Sequence, residues 1–247
     1  DQIARENRDT FAATQTFVVN LMASPGAGKT SLILATAARL PRDVRPGVIE
    51  GDLASRIDAD TVAARGIPVV QINTGGNCHL DAPMIRASLG ELPLPDIDLL
   101  FIENVGNLVC PASFDLGQHC NVTLLSVPEG DDKPAKYPVI FRAADVVLLT
   151  KADLLPVLPE FDPGRAERSL RDLASEAPWL TVSTRGQGDI GPWLDWLRTQ
   201  VTAQRERRVQ GETQRPRVQP EGERLHAGHD HDHGHGHHHG HSHHHHT

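Results

Sequence analysis

A mostly parallel α/β sheet with helices on both faces is the fold that the sequence predicts, and three observations predict it. Short apolar runs rich in β-branched residues alternate with stretches of helical period along most of the chain. The first run, Phe17-Val18-Val19-Asn20-Leu21-Met22, leads through Ala23-Ser24-Pro25-Gly26-Ala27-Gly28-Lys29-Thr30 directly into a helical pattern. Strand, glycine-rich turn, Lys-Thr and helix form the context of a phosphate-binding P-loop. The chemically distinctive residues Lys29, Asp52, Cys78, Glu103 and Lys151 all follow strands, which is where open α/β sheets bind ligands.

Taken in order, residues Asp1 to Thr14 mix charge with Ile3, Ala4 and Phe11 and predict a short helix. Thr16 to Met22 is strand one and Lys29 to Leu40 its helix. A turn from Pro41 to Pro46 precedes a second strand, Val48 to Asp52, which ends in an acid. Ala54 to Arg65 predicts a helix stopped by Gly66, and Pro68 to Ile72 a third strand. The loop Thr74-Gly75-Gly76-Asn77 leads to a helix over Leu80 to Leu89. Pro93 and Pro95 punctuate the way to strand four, Leu99 to Glu103. Strands five and six are Val122 to Val127 and Val146 to Thr150. Pro163 to Ala177 is helical, Leu180 to Val182 a weaker seventh strand, and Trp193 to Arg205 a last amphipathic helix.

The chain has 247 residues, 38% of them hydrophobic, which suits one α/β domain over residues 1–205. A polar stretch, 206–224, cannot bury a core and reads as a linker. A histidine-rich tract over 225–247 then reads as a disordered metal-binding tail. The net charge of −8 argues against nucleic acid as a partner. No apolar run approaches the roughly 18 residues that span a bilayer, so no membrane partner is expected. Three cysteines with no secretory signal point to a reducing cytoplasm and to thiols used as ligands or nucleophiles.

The P-loop carries the first chemistry. Gly26 and Gly28 let backbone N–H groups turn inward, and the helix beyond them points its positive end at an anion. Gly26, Ala27, Gly28, Lys29, Thr30 and Ser31 are therefore the expected phosphate contacts, with Lys29 on the β- and γ-phosphates and Thr30 on Mg²⁺. Ala23 stands where the general pattern has glycine. Asp52 and Glu103 are expected to reach Mg²⁺ or to orient the attacking water, and Gly106 resembles a glycine that senses the γ-phosphate. With no glutamine or arginine finger visible, intrinsic hydrolysis should be slow. Lys151-Ala152-Asp153 reads as a guanine selector. The Asp153 carboxylate would accept from N1–H and the 2-amino group, and adenine cannot offer that pair. Ser183 and Thr184 would close over the base.

Cys78-His79 and the later Cys110 combine thiolate and imidazole, which suits Ni²⁺ or Zn²⁺, with a fourth ligand from water or a second subunit. An accidental Cys-His pair is the plain alternative. Cys120 reads as a small core residue, and His119 beside it as a minor ligand candidate. The tail offers His226, His229, His231, His233, His235, His237, His238, His239, His241, His243, His244, His245 and His246 as nickel ligands. An affinity tag would look similar, but this tract alternates with Gly, Asp and Ser and ends in Thr247.

Several stretches together resemble a known family, the hydrogenase nickel-incorporation GTPases called HypB, P-loop GTPases of the SIMIBI class. They are Asn20 to Thr30, Glu50-Gly51-Asp52, Gln71 to Gly75, Cys78 to Ala82, Glu103 to Ala112 and Glu129 to Pro138, and the similarity runs from about Ile3 to Val201. The resemblance implies GTP hydrolysis coupled to nickel delivery into the [NiFe] hydrogenase large subunit precursor, a HypA-like partner, and a homodimer with metal at its interface. It implies Cys78, His79 and Cys110 as metal ligands and Gly28, Lys29, Thr30, Lys151 and Asp153 as nucleotide contacts. Two features depart from the family: no N-terminal cysteine cluster is visible, and the histidine-rich stretch is C-terminal. The rivals are a urease-type nickel GTPase, whose Cys-Pro-His pattern Cys78-His79-Leu80 does not match, and a nickel store acting through the tail.

Overall fold

A computed structural model describes residues 2–52, 56–173, 175–186, 188–212 and 217–218. The tail histidines from His226 to His246 lie outside the described residues, as does most of the stretch read as a linker. Helix α1 (Gln2–Thr14) leads into β1 (Phe17–Met22), and α2 (Lys29–Ala37) follows the glycine turn. Then come β2 (Pro46–Asp52), α3 (Ile57–Ala63), β3 (Val69–Asn73), α4 (Ala82–Ser88) and β4 (Leu99–Glu103). The second half is β5 (Cys120–Ser126), α5 (Lys133–Lys136), α6 (Pro138–Arg142), β6 (Val146–Thr150), α7 (Pro163–Asp172), β7 (Trp179–Thr181) and α8 (Gly191–Val209).

The seven strands form one sheet in the order β3-β2-β4-β1-β5-β6-β7, and every neighbouring pair is parallel. The strands reverse order about β1, so the chain after β1 sits at a switch point where a ligand crevice opens. Alternation along each strand divides the core. Val19, Leu21, Phe101, Leu124 and Leu148 face Leu32 and Ile33 of α2 and Trp193 and Leu197 of α8. On the other face, Val18, Leu100 and Ile102 pack with Phe11 of α1 and Ile85 of α4. Met22, Leu125 and Leu149 pack there with Phe141 of α6 and Leu170 of α7. The Trp193 indole donates to Thr36 Oγ1 at 2.9 Å, which satisfies a buried N–H and ties α8 to α2.

The differences from expectation are local. Helix α2 stops at Ala37 rather than Leu40. Helix α4 starts at Ala82, because Asp81 caps it by accepting from the Met84 amide at 2.8 Å. Helix α7 ends at Asp172 and not Ala177. Helix α8 runs on to Val209, past the expected domain edge at Arg205. Helices α5 and α6 were not legible, since elements of one turn carry no period.

Buried amides cross the middle of the sheet. Asn104 donates to Asn20 at 3.1 Å, and Asn20 donates to Asn121 at 3.0 Å. Asn104 Oδ1 also accepts from the Leu80 amide, and Asn121 Nδ2 donates to the Arg217 carbonyl at 2.6 Å.

Candidate functional site

Parallel strands bring their carboxyl ends together, and the loop residues there surround the start of α2. Gly26 and Gly28 take φ of +74° and +99°, and a Cβ at either would meet nothing within 4 Å. Left-handed conformation, and not lack of room, is what requires glycine at both. Lys29 opens α2 and is buried. The Thr30 hydroxyl donates to Glu103 Oε1 at 2.8 Å, joining the helix start to the end of β4. The Thr150 hydroxyl donates to the Ala27 carbonyl at 2.7 Å, joining the same turn to the end of β6.

The loop after β4 runs hard against the P-loop. A Cβ on Gly106 would lie 2.8 Å from the Pro25 nitrogen, a backbone atom that cannot move aside, so no larger residue fits while this contact holds. The Asn107 amide donates to the Ala23 carbonyl at 2.9 Å. Its side chain donates to the Cys78 carbonyl at 3.3 Å and accepts from the Val109 amide at 2.7 Å.

Asp52 ends β2 and Glu103 ends β4, and the charges of Lys29 and Asp52 both act on Glu103. Burial pushes Glu103 up to about 7, against the pull of Lys29 and the Thr30 hydrogen bond. Glu50, in register with Glu103 on the adjacent strand, is pushed up to about 8 by burial and by the Glu103 charge. Sequence reasoning gave Glu50 no role of its own. Its one signal is an acid inside the apolar run Val48-Ile49-Glu50.

At the end of β6, Lys151 adopts a left-handed φ of +57° and stands at the N-terminus of a 3₁₀ helix, Ala152–Val157. Asp153 Oδ1 accepts from Ser183 Oγ at 2.7 Å, and the Ser183 amide donates to the Asp189 carbonyl at 3.0 Å. The Ser183 loop is thereby drawn over Asp153, while Thr184 is exposed.

Cys78, His79 and Cys110 converge, with one ligand atom of each within 4.8 Å of the others. Among the described residues they form the cluster of His, Cys, Asp or Glu suited to a metal. The thiols are unbridged, with Cys78 Sγ donating to Cys110 Sγ at 2.8 Å, and His79 Nδ1 lies 3.9 Å from Cys78 Sγ. The His79 ring lies flat on Phe114, centroids 3.7 Å apart and planes 10° apart, a contact the sequence did not suggest. Burial lowers the His79 pKa against the opposing Asp81 charge and so favours the neutral, ligating imidazole. Burial and the Cys78 hydrogen bond push the Cys110 thiol up to about 11, and a bound cation acts in the opposite direction. Two sulfurs and a nitrogen in a half-buried loop suit a borderline-soft ion, and three ligands leave a position open.

His119 does not join them. It sits beside the start of β5, at the other end of the sheet, where its Nδ1 accepts from the Val18 amide at 2.9 Å and its ring stacks on Phe17. Burial and the Arg8 and Arg207 charges lower it to about 4, so it is a core residue and not a ligand. Cys120 is fully buried in β5, as expected of a small apolar residue. No described helix is long and apolar enough to cross a membrane.

The profile of the CobW/HypB/UreG nucleotide-binding domain matches residues 17–181, from β1 to β7. The chain is 50% identical over 204 residues to the hydrogenase maturation factor HypB of Escherichia coli K12, covering 82% of this chain and 70% of that one. It is 42% identical over 201 residues to the hydrogenase/urease maturation factor HypB of Helicobacter hepaticus, covering 80% and 82%. Helicobacter pylori HypB, solved in complex with nickel, superposes with a TM-score of 0.74 at 37% identity, over 86% of this chain and 96% of that one. Archaeoglobus fulgidus HypB gives 0.73 at 35% identity, over 81% and 97%. With the family profile, the sequence identities and the superposed folds in agreement, the chain belongs to the HypB hydrogenase maturation factors, P-loop GTPases of the CobW/HypB/UreG family.

Proposed function

We propose that this chain binds and slowly hydrolyses GTP, and that the nucleotide state governs a nickel ion held by Cys78, His79 and Cys110 on its way into [NiFe] hydrogenase. Asn107 is the observation that carries the reading. Its backbone holds the P-loop at Ala23 and its side chain holds the metal loop at Cys78, so one residue touches both sites. Movement of the Glu103–Cys110 loop with the γ-phosphate would shift Cys110 against Cys78 and change the fit of the metal.

The phosphates would lie on the amides of Gly26 to Ser31 and on Lys29, and the base on Lys151 and Asp153 beneath Ser183 and Thr184. An oxygen-only set fits Mg²⁺: the Thr30 hydroxyl, the Asp52 carboxylate and Glu103, whose buried Oε2 has no partner among the described residues. Mg²⁺ when bound neutralises charge growing on the β- and γ-phosphate oxygens. Nickel is the cargo, and zinc would fit the same three ligands. The open position would be filled by a second copy of the chain, making the homodimer the metal-holding form. A HypA-like nickel chaperone and the hydrogenase large subunit precursor are the partners this assigns, in the cytoplasm. The tail histidines would hold further nickel in reserve, beyond the polar linker and apart from the 1–205 domain.

The test is linkage. In protein lacking residues beyond 225, nickel affinity should differ between the GDP and GTP-analogue forms, and the same factor should appear in nucleotide affinity with and without nickel. Cys78→Ala should remove the ion and leave GTP binding in place. Equal nickel affinity in both nucleotide forms would sink the coupling.

A further inference from the structure

Glu50 and Glu103 face each other in register on β2 and β4, strands that lie about 4.8 Å apart. Their exposures are 2% and 5%, and in each the Oε2 atom is buried with no hydrogen-bond partner among the described residues. A buried carboxylate oxygen left unpaired is costly, so two side by side call for donors supplied in the working state. Packing does not explain Glu50, since an apolar residue would fill the same site in the run Val48-Ile49-Glu50 without that cost. The surroundings are specific. Glu103 already holds the Thr30 hydroxyl with its other oxygen. Lys29 acts on both carboxyls, and Asp52 and Asp58 add their charges. Lys29 is the cation that acts on both, and phosphate would draw it away.

We propose that Glu50 is a positioning residue of the Mg²⁺ site, its free oxygen accepting a hydrogen bond from a water bound to the ion. This rests on the GTPase reading above and adds a residue to it. Mg²⁺ keeps several of its waters and binds through few direct carboxylates, so acids one layer out orient those waters. Glu50 is in that layer by register: it precedes Asp52 by two residues on the same strand and stands beside Glu103 on the next. With Glu103 it would give the ion two buried acceptors at the carboxyl end of the sheet.

The experiment is Glu50→Gln, which keeps the volume and replaces two acceptors by one. Nucleotide affinity is measured in excess chelator, and Mg²⁺ is then titrated into the GDP complex. Mg²⁺ affinity should fall about tenfold while chelator-stage GDP affinity stays within twofold of the parent. With Mn²⁺ in place of Mg²⁺, the electron paramagnetic resonance line of the GDP complex should change shape, because a bound water loses its acceptor. Thermal unfolding of the nucleotide-free variant should be unchanged or higher, since an amide has no ionised form to bury beside Glu103. Unchanged Mg²⁺ affinity with an unchanged Mn²⁺ spectrum would overturn the role. A variant that unfolds earlier and loses GDP and Mg²⁺ affinity together, or fails to fold, would overturn it in favour of a structural one. A parent that takes up no guanine nucleotide would overturn the GTPase reading itself, which the chelator stage reveals before any Mg²⁺ is added.

Discussion

At the carboxyl end of the sheet, Glu50 and Glu103 each bury an oxygen that meets no donor among the described residues. Around α1 and the start of β5, by contrast, Arg8 grips both oxygens of Asp115 at 2.7 and 2.8 Å, and His119 accepts from Val18. At the same end Arg45 closes on Asp96 and Asp98. One end pairs charges with charges already in the chain, and the other holds them for something that arrives. Their pH responses oppose as well. His119, lowered to about 4, destabilises the fold as pH drops from 6.5 toward 4, because the unfolded chain binds the proton first. Glu50 and Glu103, raised to about 8 and 7, work the other way: the folded state binds the proton first, so their contribution falls as pH rises from 4.5 through those values. Unpaired buried acids at one end, and paired charges with a buried neutral base at the other, thus distinguish the two edges of the sheet.

Breaking the charge-paired end should cost the most stability. Arg8→Ala leaves Asp115 without its partner in a mostly buried site. Such losses run to roughly 3–5 kcal/mol, and because Asp115 is 24% exposed the expected value is about 3 kcal/mol, read by urea unfolding. GDP affinity should not move; if it did, the two ends would not be separable. At the binding end, Asp153→Asn should spare stability and weaken GTP by roughly tenfold or more, since each hydrogen bond to a charged group contributes about 1.5–3 kcal/mol. Equal binding of ATP and GTP by the parent would remove Asp153 as the selector. The smallest effect belongs to His119→Asn, which keeps an acceptor for the Val18 amide but takes up no proton. Its unfolding midpoint should fall less than the parent's between pH 6.5 and 4, and a parallel decline would assign the acid limb to other groups.

Much of this contrast was legible in the chain. β4 and β6 lie where their apolar runs put them, because fully buried strands write near-continuous apolar sequence. Lys29, Asp52, Cys78, Glu103 and Lys151 were findable because parallel strands all end on one side. What stayed hidden depends on pairing across strands or across loops. Glu50 gains its meaning only from the register that sets it beside Glu103, and Phe114 only from the fold of the loop that lays it on His79. Asn107 reads as an ordinary loop residue until Ala23 and Cys78 are both within its reach. His119 misled for a related reason, since adjacency to a cysteine in sequence says nothing about which end of a strand it occupies.

The row of amides through the sheet bears on where the chain can be shortened. Asn121 makes its closest hydrogen bond, 2.6 Å, to the carbonyl of Arg217, beyond the end of α8 and ahead of the histidine tract, while Arg217 reaches Asp145 at 3.7 Å. A chain cut at the last helix would strip an acceptor from a buried amide that is joined, through Asn20 and Asn104, to the Leu80 backbone beside the metal loop. A cut beyond residue 218 keeps that row whole. Two tail-less proteins differing by a handful of residues would then not be equivalent, and only the longer would report on the histidines alone.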